Sequence, residues 1–305
     1  MTFSFVLPAY KGRYLSESID SILAQDYKDF ELIIVDDCSP DHLDEIVAKY
    51  NDSRISYYKN EKNIGGKDLV AQWNHCLEYA TGDYVILATD DDLYESTFLS
   101  SFVPLIKKYP DANLLRARFL SVNSQNKIMW IDKCYKEYLT EVEFRYYMMH
   151  GMKGGIPHYI FKRCALVEKG GFVNFPFAWG SDDATAMMMA EKGVVNSQQH
   201  LVRFRWSDIN ISSDNSSATE KFKARLKLGH WLSDHPVTIN TTGEWKQFYE
   251  EQVTDYVPIY RKLLILQALR VKSFSKKMKC IFLLWNDDSI GTADKMSVLY
   301  RLFCH

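Results

Sequence analysis

Three aspartates, Asp90, Asp91 and Asp92, stand in a row behind the apolar run YVILA at residues 84–88. Like charges held that close repel strongly. A carboxylate triplet at the end of a buried strand persists most easily around a cation. Hard divalent ions such as Mn2+ or Mg2+ take carboxylate oxygens and share phosphate oxygens with a bound ligand. One aspartate in such a place is more often a helix cap; three in a row are harder to explain that way. Two other polar clusters also follow apolar runs: Leu7-Pro8-Ala9-Tyr10, and Asp36-Asp37-Cys38-Ser39 behind ELIIV. No GxGxxG follows the first run, and no GxxxxGK[ST] occurs. A dinucleotide-binding dehydrogenase and a P-loop NTPase would both lack their phosphate grip. A metal bridging a diphosphate to the carboxylates would replace it.

Regular elements must bring these clusters together. Short apolar runs at residues 3–7, 31–35, 55–59 and 84–88 read as strands, the first stopped by Pro8. Between them, residues 14–25, 41–50 and 67–81 carry helical spacing, and residues 95–109 add a fourth helix ending before Pro110. This alternation predicts an α/β fold with a mostly parallel sheet flanked by helices. Ligands of such sheets bind outside the carboxyl ends of the strands, where all three clusters fall. Residues 111–215 are mixed, with strands at 114–120 and 158–161 and a helix at 182–192. Beyond residue 216 the pattern turns helical, at 220–233 and 244–269. The stretch 207–219 is rich in Ser, Asn and Asp and reads as a loop.

Composition narrows the class. With 305 residues and 47% apolar content the chain can bury a sizeable core. Its formal charge of −2 argues against a general nucleic-acid binder, so no nucleic-acid partner is expected. Six cysteines without CxxC spacing suit neither a zinc site nor a disulfide scaffold, and free thiols in a reducing compartment are expected. No basic leader precedes the first strand, and no uncharged apolar stretch approaches the roughly 20 residues that span a bilayer. The expected location is cytoplasmic, with room for peripheral contact on the inner face of the membrane.

The ordered set VLPAY, ELIIVDDCS, KNIGG, YVILATDDDLY and GGFVNFPFAWGSDDATAMMMAEKG resembles family-2 glycosyltransferases of the GT-A, Rossmann-like fold over about residues 1–205. The resemblance implies an inverting, metal-dependent transfer of a sugar from a nucleotide-diphosphate donor to an acceptor hydroxyl. UDP is the nucleotide it favours, and the acceptor would be a saccharide or lipid-linked saccharide of bacterial surface polysaccharide or glycolipid synthesis. It divides the chain into a GT-A domain, 1–215, and a helical extension, 216–305. Residues 1–110 would be the nucleotide half and 111–215 the acceptor side.

The same resemblance assigns roles. Pro8, Ala9 and Tyr10 would line the base pocket, and Asp37, or its neighbour Asp36, would accept from the base. Asn63, Gly65 and Lys67 would lie on a loop over the nucleotide. Asp90 would face the ribose or donor sugar, and Asp91 would bind the metal, with Asp92 the alternative ligand. Asp182 resembles the general base, with Asp183 the alternative, because Ser181 stands where the family carries Glu. Arg205, near Arg203 and Trp206, would fold over the pyrophosphate. A helix start also favours an aspartate without any catalysis.

Two other classes compete. A sugar nucleotidyltransferase would carry a glycine-rich loop near residues 8–13, which is lacking. A non-catalytic nucleotide- or sugar-binding module would not need both carboxylate groups intact. In the C-terminal third, residues 257–285 interleave apolar and basic residues. Such a segment could lie on an anionic membrane, or pack on the catalytic domain or on a second subunit of a homodimer.

Overall fold

The computed structural model describes residues 1–207, 217–237, 239, 242–250 and 257–303. In chain order the first part holds β1 (Phe3–Ala9), α1 (Leu15–Leu23), β2 (Phe30–Asp36), α2 (Leu43–Val47), β3 (Ile55–Lys59), α3 (Leu69–Leu77), β4 (Tyr84–Leu87), β5 (Leu93–Tyr94) and α4 (Phe98–Lys108). The middle part holds β6 (Leu114–Asn123), β7 (Ile128–Ile131), β8 (Tyr138–Leu139), α5 (Glu141–Met149), β9 (Tyr159–Lys162), α6 (Arg163–Glu168), α7 (Ser181–Met189) and β10 (Val194–Trp206). Among the described residues five helices follow: α8 (Ala218–Asp234), α9 (Glu244–Tyr249), α10 (Val257–Ala268), α11 (Phe274–Trp285) and α12 (Thr292–Phe303).

The ten strands form one sheet in the order β3-β2-β1-β4-β9-β6-β10-β5, with β7 on β6 and β8 on β10. β3, β2, β1 and β4 are mutually parallel. β9 runs antiparallel between β4 and β6, and β6 pairs parallel with β10. Thus the α/β class read from the alternation is the one adopted, mostly parallel and flanked by helices. Along the central strands alternate residues enter two separate cores. Val6, Ile33, Val35, Val85 and Leu87 face one, and Phe5, Leu7, Leu32, Ile34 and Ile86 face the other. Burial on both faces is why these strands read as unbroken apolar runs.

Pro8 does not end β1. The strand continues to Ala9, with Pro8 opposite Val35. Val6 accepts from Ala88 N–H on the β4 side, whereas Ala9 accepts from Asp37 N–H on the β2 side. The missing N–H of Pro8 therefore faces β4 just where that strand stops at Leu87, so no ladder bond is lost. β10 is a 13-residue strand that the periodicity does not reveal. Its polar centre, Asn196 to His200, carries two register shifts against β6, and each bulge breaks the period-2 pattern.

α8 serves two cores. Ala224, Leu228 and Leu232 join the core under the sheet, and Ala218, Phe222 and Leu226 join a third cluster with α10, α11 and α12. Tyr260, Leu264 and Ala268 of α10 are buried there, so this part of 257–285 packs on the protein. Residues 208–216, the bulk of the expected loop, and residues 251–256 of the expected long helix lie outside the described residues. Among the described residues no helix is long and apolar enough to cross a membrane.

Candidate active site

The aspartate triplet sits directly behind β4, and each member meets different partners. Oδ2 of Asp90 accepts from the backbone N–H groups of Tyr10 (3.0 Å) and Lys11 (2.8 Å), just beyond β1. Asp92 is buried, and both its oxygens are engaged within the fold. Oδ2 accepts from the Thr89 hydroxyl at 2.6 Å, and Oδ1 from Arg205 N–H at 2.8 Å. Asp91 lies between them, and burial followed by the charge of Asp90 pushes its carboxyl up to about 6. Burial likewise raises Asp90 and Asp92.

Arg205 braces this turn. It is 1% exposed, its Nε donates to Asp91 O at 2.9 Å, its Nη2 meets Glu17 Oε2 at 2.6 Å, and its guanidinium lies 4.1 Å over the Tyr14 ring. Its fork is used on the protein's own backbone. Arg203 pairs with Glu95 at 2.8 Å.

The adjoining strand ends carry the next polar cluster. Asp36 is fully buried and accepts from Ser39 N–H (2.7 Å) and the Tyr57 hydroxyl (2.7 Å). Oδ1 of Asp37 accepts from Asn60 Nδ2 and Ile64 N–H, both at 2.8 Å, and its Oδ2 from Gly65 N–H at 2.7 Å. Asp37 thereby anchors the loop that carries Asn63 and Lys67. A Cβ on Gly65 would come within 2.9 Å of Asp37 Oδ2, which is why glycine stands there. Asn63 accepts from Gly66 N–H, and Lys67 is exposed. Beside this loop Ala9 is fully buried, Pro8 is half-buried and Tyr10 is 41% exposed, offering a ring face.

The second carboxylate pair opens α7. Gly180 takes φ 87° as the residue before the helix, a left-handed turn that aims the first helical residues. Asp182 and Asp183 are half-buried, and Asp183 N–H donates to Asp182 Oδ1 at 2.9 Å. Burial, then the neighbouring charge of Asp183, pushes Asp182 up to about 7. Burial raises Asp183 too, against the cations Arg225 and Lys153. Arg225 of α8 stands 4.0 Å from Asp183. The Trp179 ring lies under Lys221 (4.6 Å), Arg225 (5.5 Å) and Arg270 (5.8 Å).

One segment links the two sites. A Cβ on Gly154 would lie 3.1 Å from Asp183 Oδ1. From there the chain enters the 3-10 turn Ile156–His158 beside the end of β4, because β9 runs back along that strand. Pro157 O accepts from the Tyr94 hydroxyl at 3.2 Å, two residues past Asp92. Asp183 and the triplet are therefore tied to the same end of the sheet, where ligands of such sheets bind.

Among the described residues no three His, Cys, Asp or Glu side chains converge to cage a cation by themselves. Asp92 has both oxygens engaged within the fold, and Asp90 has its Oδ2 on the Tyr10 and Lys11 amides. A divalent ion that shares its shell with a ligand's phosphates needs only one or two carboxylates. Asp91 fits that demand: a cation would relieve the repulsion that raises its carboxyl. Motif reading does not reach Glu17, Lys153 or Arg225. They act across long separations, 188 residues for Glu17 and Arg205, and leave no local spacing to read.

Comparison with known proteins bears on the family and the fold. The sequence profile of Glycosyl transferase family 2 matches residues 4–171. A Bacillus subtilis (strain 168) protein named as a glycosyltransferase, EpsE, is 42% identical over 100 residues, which are 32% of this chain and 35% of its own length. TarS of Staphylococcus aureus (strain Mu50 / ATCC 700699), a poly(ribitol-phosphate) beta-N-acetylglucosaminyltransferase, is 30% identical over 129 residues, 41% of this chain and 22% of its own length. These matches span well under half of either relative. The crystal structure of S. aureus TarS 1-349 with UDP-GlcNAc has a TM-score of 0.76 at 18% identity, covering 99% of this chain and 87% of that one. The mannosyltransferase PcManGT from Pyrobaculum calidifontis, in complex with GDP-Man and Mn2+, has a TM-score of 0.57 at 15% identity, covering 98% and 83%. Both share the GT-A fold with this chain.

Proposed function

The chain belongs to glycosyl transferase family 2 and is a glycosyltransferase, and from that premise we propose an inverting transfer from a UDP-sugar to an acceptor hydroxyl. The acceptor is a saccharide or lipid-linked saccharide of a bacterial surface glycan. The observation that carries the reading is the meeting of two unlike carboxylate groups at one end of the sheet. One is a braced turn around Asp91; the other is a half-buried pair whose carboxyls burial raises, that of Asp182 to about 7.

In this mechanism the base rests by Pro8, Ala9 and the exposed Tyr10 face. Asp37 reads the base or holds the loop that closes on it, and Asn63, Gly65 and Lys67 line the loop. Asp90 orients the ribose side while keeping the Tyr10 and Lys11 amides in place. A divalent cation, Mn2+ or Mg2+, held through Asp91 would neutralise charge on the leaving diphosphate. Asp182 takes the proton of the acceptor hydroxyl as that oxygen attacks the anomeric carbon from the face opposite the nucleotide. The bond to the diphosphate breaks as the new bond forms, so the anomeric centre inverts. Asp183 and Arg225 set the charge around Asp182. The UDP-GlcNAc in TarS and the Mn2+ in PcManGT support a nucleotide-sugar donor and a metal by analogy.

The test is slow hydrolysis of labelled UDP-sugars without acceptor, with and without EDTA, beside an assay for pyrophosphorolysis. Metal-dependent release of UDP supports the transferase. Formation of UTP from pyrophosphate would instead make the chain a nucleotidyltransferase.

A further inference from the structure

α11 has two apolar faces. Cys280 and Leu284 are fully buried in the C-terminal cluster. Phe274, Met278, Phe282 and Trp285, at spacings of four, four and three, lie on the outer face, 70%, 46%, 70% and 56% exposed. α12 repeats the arrangement. Val298 and Leu302 are buried, while Met296, Tyr300 and Phe303 point outward at 55%, 62% and 50% exposure. The two outer faces form one surface. Lys277 of α11 lies 5.8 Å over the Phe303 ring, and Lys295 of α12 lies 6.0 Å over Trp285 and donates to its carbonyl at 3.0 Å. A single exposed aromatic is ordinary; two aligned rows of large apolar side chains need a cover.

The fringe of this surface identifies the cover. Lys272, Lys276, Lys277, Lys279, Lys295 and Arg301 lie on or beside α11 and α12. Of the nearby acids, Asp287 is engaged by His230 at 2.9 Å and by Ser289, and Asp294 by Arg261 at 2.7 Å, while Asp288 is exposed, one acid against six cations. The aromatic rows thus sit in a basic rim. A self-associating copy would set that rim against another basic rim, whereas anionic lipid headgroups neutralise it. Phe, Trp and Tyr side chains ringed by lysine suit the boundary between headgroups and acyl chains. α11 has 12 residues, the length of a helix that lies on a bilayer rather than crossing it.

We propose that the outer face of α11 and α12 docks the enzyme on an anionic membrane surface, with Phe274, Phe282 and Trp285 inserted and the lysine rim on the headgroups. The expected contact within 257–285 thereby moves off α10, whose apolar side is buried, and extends through α12. The docking surface is built without any residue assigned to the reaction, so it stands or falls apart from the transferase reading.

Flotation of the full chain with phosphatidylcholine vesicles, with and without phosphatidylglycerol, tests it. Binding is expected only with phosphatidylglycerol at low salt, reversed at high salt. Lys277→Glu with Lys279→Glu should weaken it by about fivefold for each lysine removed, and Phe274→Ser with Phe282→Ser by about tenfold or more. Phe274, Phe282 and Lys279 are exposed and Lys277 is half-buried, so unchanged melting and donor hydrolysis would certify the fold of each variant. No binding to anionic vesicles at low salt would overturn the proposal. Binding indifferent to all four substitutions would also overturn it. So would a dimer, seen by ultracentrifugation, that the Phe substitutions dissociate.

Discussion

The acidic run at 90–92 follows a strand and the acidic pair at 182–183 opens a helix, and burial raises the carboxyls of both. They differ in what their oxygens touch. At 90–92 the fold engages the outer two, through Tyr10 and Lys11 amides on one side and Thr89 and Arg205 on the other. The middle carboxylate is buried between them, with Lys11 and Arg205 as the nearby cations. At 182–183 the compensation comes from a distance, Arg225 standing 4.0 Å from Asp183 on a helix beyond the sheet. A group braced by backbone donors suits holding a fixed charge. A group whose carboxyl sits near 7 under adjustable neighbours suits gaining and losing a proton.

Four substitutions would break or sharpen that contrast. Asp182→Asn should cost the most, about 100- to 10,000-fold in turnover, while calorimetry finds nucleotide binding unchanged. If Asp183→Asn shows that loss and Asp182→Asn does not, the base is Asp183. The same Asp182→Asn should melt higher than wild type at pH 8. The folded-state carboxyl is raised to about 7, so between about 4 and 7 the folded protein holds a proton that the unfolded chain has lost. Stability therefore falls as pH rises through that window, and the neutral amide escapes the fall.

Arg225→Gln comes next. Removing the cation raises the base further, so kcat/KM at pH 7 should drop about tenfold and recover at higher pH. A loss equal at every pH would mean that Arg225 acts on packing alone. Arg205→Lys keeps the charge but not the fork that spans Asp91 O and Glu17. Denaturant melts should show a loss of about 1–2 kcal/mol, with nucleotide binding weakened alongside. A variant of unchanged stability and weaker binding would return Arg205 to direct phosphate contact. The smallest effect is a shift in a profile. The wild-type acid limb of kcat/KM should have its midpoint near 7, and Asp183→Asn, by removing a like charge, should lower it by about one pH unit.

The first 110 residues were the more legible region. β1 to β4 are buried on both faces, so their apolar runs survive in the sequence, and the polar clusters mark where each strand stops. Asp182 was reached through the ordered motifs, not through its own spacing, since an aspartate at a helix start has an ordinary reason to be there. Arg225 and Glu17 stayed hidden because their partners are brought in by tertiary packing. β10 stayed hidden because its bulges scramble the alternation. The capping box of α5, Thr140 with Glu143, was there to be read as T-x-x-E and marks a helix that periodicity alone does not suggest.

The contrast rests first on Asp91. Calorimetric titration of UDP into wild type and Asp91→Asn, with Mn2+ and then with EDTA, addresses it directly. Binding that requires Mn2+ in wild type and weakens by about 100-fold or more in the variant is the expected result. Equal binding by both proteins, unmoved by EDTA, would contradict a cation-holding role for the braced turn.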